Sequence, residues 1–266
     1  MRSFAANWLA LREPCDRVAR SAVLADRFAE ALGSAARLID LGCGTGSNLR
    51  YLAPRLAEGQ RWLCIDNDAE LLDEARVALR NWAGPEGWRG EADFVCSDLA
   101  GDLGALQRED SAITASALLD LTSAPWLDRL VTFCLGRPLL IALSFDGRLT
   151  WTPAASEDHS ILEAFLAHQR TDKGFGPALG PDAAAYLARR LEAEGYRITT
   201  AASDWRLGTS NQALIEEMLR GFAQAAGERL GRDLSAWTAM RQQQAREGKL
   251  ALTVGHVDLL ALPENG

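Results

Sequence analysis

The sequence predicts an α/β protein built on a doubly wound, mostly parallel sheet, and three observations predict it. Short apolar runs alternate with helix-period segments, the pattern of strands covered on both faces. A glycine-rich turn, Gly42-Cys-Gly-Thr-Gly46, follows the first run. An acid stands at or just past the end of each of the first three runs, at Asp40, Asp66 and Asp98. With 266 residues, 48% hydrophobic and 24% charged, the chain has the composition of a fully folded globular protein large enough for a substantial core.

Taken in order, Asp16 to Leu32 is amphipathic and predicts helix. Strands are expected at Arg37 to Leu41, Arg61 to Asp66, Asp93 to Ser97, Ala112 to Ser116 and Leu139 to Ser144, each short and apolar. Helices fall between them, at Asn48 to Leu56, Ala69 to Trp82 and Ala124 to Leu135, with Asp68 as the first-turn acid of the second. Beyond Phe145 a stretch rich in Gly, Pro, His and Arg breaks the rhythm, as an insertion over the carboxyl edge of the sheet would. A helix from Asp182 to Glu194, a strand from Arg197 to Ala202, helices near Gln212 to Ala226 and Leu234 to Glu247, and a strand from Leu250 to Leu260 complete the reading.

Composition excludes several classes of function. A net charge of −8 argues against a nucleic-acid surface, since phosphate binding rests on Lys and Arg. Cys15, Cys43, Cys64, Cys96 and Cys134 are scattered and never form a C-x-x-C pair, so they suggest neither a disulfide framework nor a metal site. The N-terminus lacks a signal peptide's apolar core and the longest apolar run, Pro138 to Ala142, is far too short to span a bilayer; the expectation is a cytoplasmic protein without a membrane partner.

The glycine turn carries the chemistry. Glycines permit positive φ and close approach of backbone to a ligand, and the helix behind them offers unpaired N–H groups. Asp40 can receive the amino group of a cationic ligand, directly or through water. Ser47 stands where the dinucleotide fingerprint G-x-G-x-x-G needs its third glycine, and the G-K-[ST] ending of a P-loop is absent. Asp66, twenty residues past Gly46, is placed to accept both ribose hydroxyls of a nucleoside across the strand ends. Asp98 is placed for an adenine amino group, with Leu99 against the ring.

This order of motifs, from Ala36 to Phe145, resembles the class I S-adenosylmethionine-dependent methyltransferases. The resemblance implies a Rossmann-like, seven-stranded sheet, mostly parallel with an antiparallel last strand, and S-adenosyl-L-methionine as cofactor with S-adenosyl-L-homocysteine as product. It makes Asp40, Gly42, Gly44 and Gly46 the cradle of the methionine end, Asp66 the ribose acid, Asp98 the adenine contact, and Asn67 and Leu99 the flanks of the adenosine. It further divides a single domain, 1–266, into an N-terminal helical lid (1–33), a cofactor-binding core (34–147), an acceptor-side insertion (148–181) and a C-terminal part of the sheet with a helical insertion (182–266). The run Arg12 to Arg20 would fold over the cofactor, with Arg20 reaching toward the methionine carboxylate.

In that family the methyl acceptor sits beside the end of the fourth strand, here Ser116, Leu119 and Asp120, with Ser116 on the cofactor side. Asp120 and His168 are the catalytic candidates, although His168 shares a helix face with Ile161 and so also suits a structural role. Asp146, Arg148, Trp151, Arg170 and Lys173 are the substrate-binding candidates, the two last for a carboxylate or phosphate. His256 alternates within the last strand and reads as structural. The fourth strand lacks the Asn/Asp-Pro-Pro-Tyr/Phe pattern of enzymes that methylate nucleic-acid bases. The expected reaction is methylation of a small-molecule O, N or C nucleophile; the alternatives are a protein or RNA acceptor, or cofactor binding without turnover. The helix faces near Leu214 to Phe222 could serve a homodimer, or lie in the core.

Overall fold

The computed structural model describes residues 6–34, 36–82, 90–106 and 111–264. Two helices lead, α1 (Ala6–Ala19) and α2 (Ala22–Leu32), the second capped by Ser21 Oγ accepting the Leu24 N–H. There follow β1 (Arg37–Leu41), α3 (Ser47–Leu52), β2 (Arg61–Asp66), α4 (Ala69–Asn81), β3 (Glu91–Cys96), β4 (Ala112–Ser116) and α5 (Ala124–Cys134). Asp68 caps α4, its Oδ1 accepting the N–H groups of Glu70 and Leu71. The chain continues through β5 (Leu139–Thr152), α6 (Asp158–Gln169), α7 (Ala183–Ala193), β6 (Tyr196–Ala202), β7 (Trp205–Leu207), α8 (Gln212–Leu230), α9 (Ser235–Arg246) and β8 (Ala251–Pro263).

The strand order is β3-β2-β1-β4-β5-β8-β6. Neighbours from β3 to β5 are parallel, whereas β8 runs antiparallel to both β5 and β6. The seven expected strands are therefore present, with the antiparallel strand last in sequence. An eighth, the three-residue β7, pairs with β8 and is too short to leave a periodic signal. Strand order reverses between β1 and β4, and the crevice at their carboxyl ends is where a doubly wound sheet binds ligands.

Both faces of the sheet are covered. On one, Ile39, Leu41, Ile113 and Ile141 pack against Leu127, Leu130, Leu187 and Leu191 of α5 and α7. On the other, Leu38, Trp62, Leu140 and Leu260 meet Leu24, Phe28, Leu49 and Leu52 of α2 and α3. A third cluster lies where α6, α8 and α9 cover the far half of β5 and the first half of β8.

Strand β5 is longer than predicted. Its register against β8 shifts between Ile141 and Ser144 and again between Phe145 and Leu149, and Asp146-Gly147 inside the second irregularity mimics a turn in the sequence. Residues 148–152 thus continue the strand, with Leu149 to Thr152 pairing with Val254 to Ala251 before α6 begins. Leu214, Ile215, Met218, Leu219 and Phe222 are buried against β5, β8 and α6, so that stripe of α8 belongs to the core and offers no face to a dimer. Among the described residues no helix is long and apolar enough to cross a membrane.

Candidate functional site

The turn after β1 is built from three left-handed glycines, Gly42, Gly44 and Gly46, at φ of 67°, 52° and 79°. That conformation is costly for any residue with a Cβ. Space is short as well: a Cβ on Gly42 would stand 3.3 Å from Leu118 Cδ1, and one on Gly44 would stand 3.1 Å from Leu9 Cδ1. Leu118, just past β4, and Leu9, on α1, therefore flank the turn. Its backbone is fixed by Cys43 N–H donating to the Ile65 carbonyl (2.9 Å) and Gly46 N–H to that of Cys43 (2.8 Å).

Two acids meet this turn. Asp66, at the end of β2, accepts the Gly44 N–H on Oδ2 (2.8 Å) and the Asp68 N–H on Oδ1 (3.1 Å), and burial raises its carboxyl above the usual range. Each of its oxygens keeps a lone pair for a hydroxyl. Asp40 is wholly buried beneath the turn. Its Oδ1 accepts from Asn48 Nδ2 at 2.6 Å, the same amide nitrogen lies 3.1 Å from Thr114 Oγ1, and Oδ2 has no partner. Burial pushes its carboxyl up to about 7, with Asp66 adding to the rise and Asn48 and Arg20 opposing it. An unpaired, buried carboxylate oxygen is expensive, and an ammonium group would satisfy it.

Around the remaining cofactor candidates the picture is mixed. Asn67 and Asp98 are exposed at the ends of β2 and β3, and Asp98 Oδ1 accepts the Ala100 N–H at 2.9 Å. Leu99 is buried in the core, its carbonyl accepting from Trp126 Nε1, so its side chain faces hydrophobic neighbours. Ser116 is half-buried at the end of β4, opposite Ala142 of β5.

Asp120, a catalytic candidate, lies in the 3-10 turn Leu119–Leu121. Desolvation pushes its carboxyl up to about 6, against the pull of its own and the Phe145 backbone N–H and of the Arg12 guanidinium. Two non-glycine residues with positive φ lie beside it, Ala117 at 53° and Leu143 at 56°. Such conformations persist only where the surroundings enforce them. Leu143 is enforced by Asp258, wholly inside the protein, whose Oδ1 accepts the Leu143 N–H and whose Oδ2 accepts the Ser21 N–H, both at 2.8 Å.

The other acceptor candidates have different neighbours. His168, at the end of α6, lies 3.6 Å from Glu228 and 3.4 Å from Lys173 Nζ, and burial together with the Lys173 charge lowers its pKa. Lys173 donates to Thr171 Oγ1, and Arg170 pairs with Asp182 at 2.7 Å. Arg148 is forked between Asp146 and Asp204 on the exposed side of β5. Trp151 is buried edge-on to Phe222 and Trp237 at 5.7 Å each, which makes it packing for α8 and α9 and no open platform for a ligand. The glycine turn thus meets Asp66 through a hydrogen bond and Leu118, two residues before Asp120, through packing, with Asp40 buried beneath it, whereas the partners of His168, Arg170 and Lys173 come from α6, α8 and the loop between α6 and α7.

Two features of the site, the support of Asp40 and the anchoring of α1 by Arg50, left little trace in the sequence, whereas Arg20 was a candidate there. Asn48 and Thr114 hold Asp40; Asn48 stands two residues past the turn, but Thr114 comes from β4, 66 residues further on. Arg50 donates from Nη1 to the Thr45 carbonyl (2.7 Å) and from Nε and Nη2 to Glu13 of α1 (3.0 and 2.6 Å), which fastens α1 to the turn. Arg20 is buried over the Tyr51 ring (3.9 Å), under the influence of Asp258 and Asp40, with Nη2 unpaired.

Residues 38–134 match a family described as a methyltransferase domain. Over 95 residues the chain is 37% identical to the biotin biosynthesis bifunctional protein BioCD of Bordetella avium, a stretch covering 31% of this chain; the chain spans about a fifth of that relative's length (20%). Two solved structures share the fold at low identity. One is an S-adenosylmethionine-dependent methyltransferase from Geobacter sulfurreducens in complex with S-adenosyl-L-homocysteine, with TM-score 0.50, 15% identity and coverage of 99% of this chain and 100% of that one. The other is a cyclopropane-fatty-acyl-phospholipid synthase-like protein from Lactobacillus casei, with TM-score 0.51, 16% identity and coverage of 97% and 94%. The matched segment holds the glycine turn, Asp66 and Asp98, so residues 38–134 are similar to a methyltransferase domain, and along the rest of the chain the two solved structures share its Rossmann-like fold.

Proposed function

We propose that this protein methylates a small molecule at an oxygen, nitrogen or carbon nucleophile, using S-adenosyl-L-methionine. The cofactor, when bound, supplies a methyl group already activated as a sulfonium. The residues present fit it: Asp40 Oδ2 is an unpaired acceptor for its ammonium group, the glycine turn admits its methionine end, Asp66 retains lone pairs for its ribose, and Asn67 and Asp98 stand exposed at the adenine end.

The observation that carries the reading is Asp120: a carboxyl held up to about 6, two residues past the leucine that flanks Gly42. A carboxylate in that range is largely ionised near neutral pH yet basic enough to hold a proton given up by a hydroxyl or amine nucleophile. The rest of the protein's task is alignment of the acceptor and exclusion of water, and α1, packed over Gly44, supports the latter. A net charge of −8 favours a small acceptor over a nucleic acid.

The test is release of S-adenosyl-L-homocysteine from the protein incubated with S-adenosyl-L-methionine and a cell extract split into low-molecular-weight, protein and RNA fractions. Turnover is expected with the low-molecular-weight fraction and should collapse in Asp120→Asn. Turnover with the protein or RNA fraction alone would replace the reading, and tight binding with no turnover in any fraction would favour a non-catalytic role.

A further inference from the structure

Asp40 Oδ2 and Asn48 Oδ1 are buried oxygens without a partner among the described residues, and they sit on two side chains already bonded to each other. Asp40 is 0% exposed and Asn48 2%. Counting hydrogens fixes how the Asn48 amide is turned. Its Nδ2 has two hydrogens to give, and it lies 2.6 Å from Asp40 Oδ1 and 3.1 Å from Thr114 Oγ1. Both donors are spent, which leaves Oδ1 as an acceptor with nothing to accept. The neighbouring donors of the glycine turn are spent as well: the N–H of Cys43 goes to Ile65, that of Gly44 to Asp66 and that of Gly46 to Cys43.

The nearby cation does not fill the gap. Arg20 lies 3.9 Å over the ring of Tyr51, which follows Asn48 by three positions on α3 and so shares its side of the helix. Arg20 Nη2 is itself buried and unpaired, so no hydrogen bond joins it to either oxygen. Two acceptors thus stand side by side in a place closed to bulk water, where an unmade bond is costly.

We propose that Asn48 is a second binding residue for the amino group of the cofactor: its Oδ1 and Asp40 Oδ2 together accept the hydrogens of one ammonium. This rests on the cofactor reading given above and adds to it a residue outside the glycine motif. The occupant must carry at least two hydrogens on one small atom, and a hydroxyl has only one to give. A water molecule has two but brings no charge, whereas an ammonium also offsets the cost of keeping Asp40 ionised away from solvent. Asn48 therefore acts twice, holding the carboxylate in one orientation through Nδ2 and supplying the second acceptor through Oδ1.

The experiment is calorimetry of the full chain with S-adenosyl-L-homocysteine and with its analogue in which hydrogen replaces the α-amino group. The unaltered protein is expected to bind the amine-free analogue roughly tenfold or more weakly, because both oxygens then stay unpaired. Asn48→Leu should weaken S-adenosyl-L-homocysteine by about tenfold and leave the affinity of the analogue within about twofold. Asn48→Ser, a smaller change to the packing, gives the same comparison if the Leu variant does not fold. A residue that only held α3 in place would weaken both ligands alike. Equal losses for the two ligands, no loss for either, or equal affinities of both for the unaltered protein would overturn the proposal. The readout needs neither acceptor nor turnover, so absence of methyl transfer would count against the proposed function alone. Failure of S-adenosyl-L-homocysteine to bind the unaltered protein would instead remove the cofactor reading and the role of Asn48 with it.

Discussion

The backbone N–H of Gly44 donates to Asp66 Oδ2 across 2.8 Å, which clasps the turn after β1 to the end of β2. In the proposed function one carboxylate would thus shape the cradle for the amino-acid end of the cofactor and present its remaining lone pairs to the sugar. Asp66→Ala removes both functions and leaves the Gly44 N–H without its partner. Affinity for S-adenosyl-L-homocysteine, measured by calorimetry, should fall by about 1–3 kcal/mol. Unaltered affinity would detach Asp66 from the ligand site.

If Asp40 receives the ligand ammonium as proposed, binding should depend on pH. Its carboxyl titrates near 7 in the free protein, and a ligand ammonium favours the ionised form, so binding should expel a proton and tighten as pH rises through 7. Calorimetry in two buffers of different ionisation enthalpy counts that proton, and Asp40→Asn should abolish the count. Stability has the opposite sign. A carboxyl raised in the folded state above its ordinary value of 3.8 contributes stability below about 4 that is lost as pH rises through 7, because the folded chain keeps a proton the unfolded chain releases. Urea titrations of Asp40→Asn should lack that loss.

For an acceptor whose nucleophile is an O–H or N–H group, Asp120→Asn should reduce kcat by about 10²–10⁴-fold, the usual contribution of a general base, with KM little changed. In the unaltered enzyme the acid limb of kcat/KM should fall near pH 6. An acceptor methylated equally fast by the Asn variant would show that no base is used.

Glu13→Gln tests the fastening of α1. The Arg50–Glu13 pair is largely shielded, with side-chain exposures of 9% and 23%, so losing its anion should cost about 1–3 kcal/mol and leave the Arg50 cation on the Thr45 carbonyl alone. Amide exchange in α1 should quicken, and S-adenosyl-L-homocysteine should dissociate faster. Exchange confined to its former rate would mean that Leu9 and Asp16 hold the helix without Arg50.

What the sequence determined by itself was local. Residues 37–41, 61–66 and 112–116 form strands with the expected ends because a doubly covered strand must be apolar throughout and is bounded by polar residues or glycine. Gly42, Gly44 and Gly46 announce a left-handed turn because other residues pay a steric cost there, and Asp66 follows at the spacing that one helix and one strand impose. Tertiary structure decided the rest. The continuation of β5 through its bulges, the pairing of β7 and the burial of Trp151 depend on partners far along the chain. So does the seat of α1: Trp205 reaches Asp16 across 189 residues, and Ser21 reaches Asp258 across 237. The affinity of Asp40 and Asp120 for a proton belongs to that same level, since desolvation and the field of Arg12 or Arg20 arise only when elements remote in sequence close around a carboxylate.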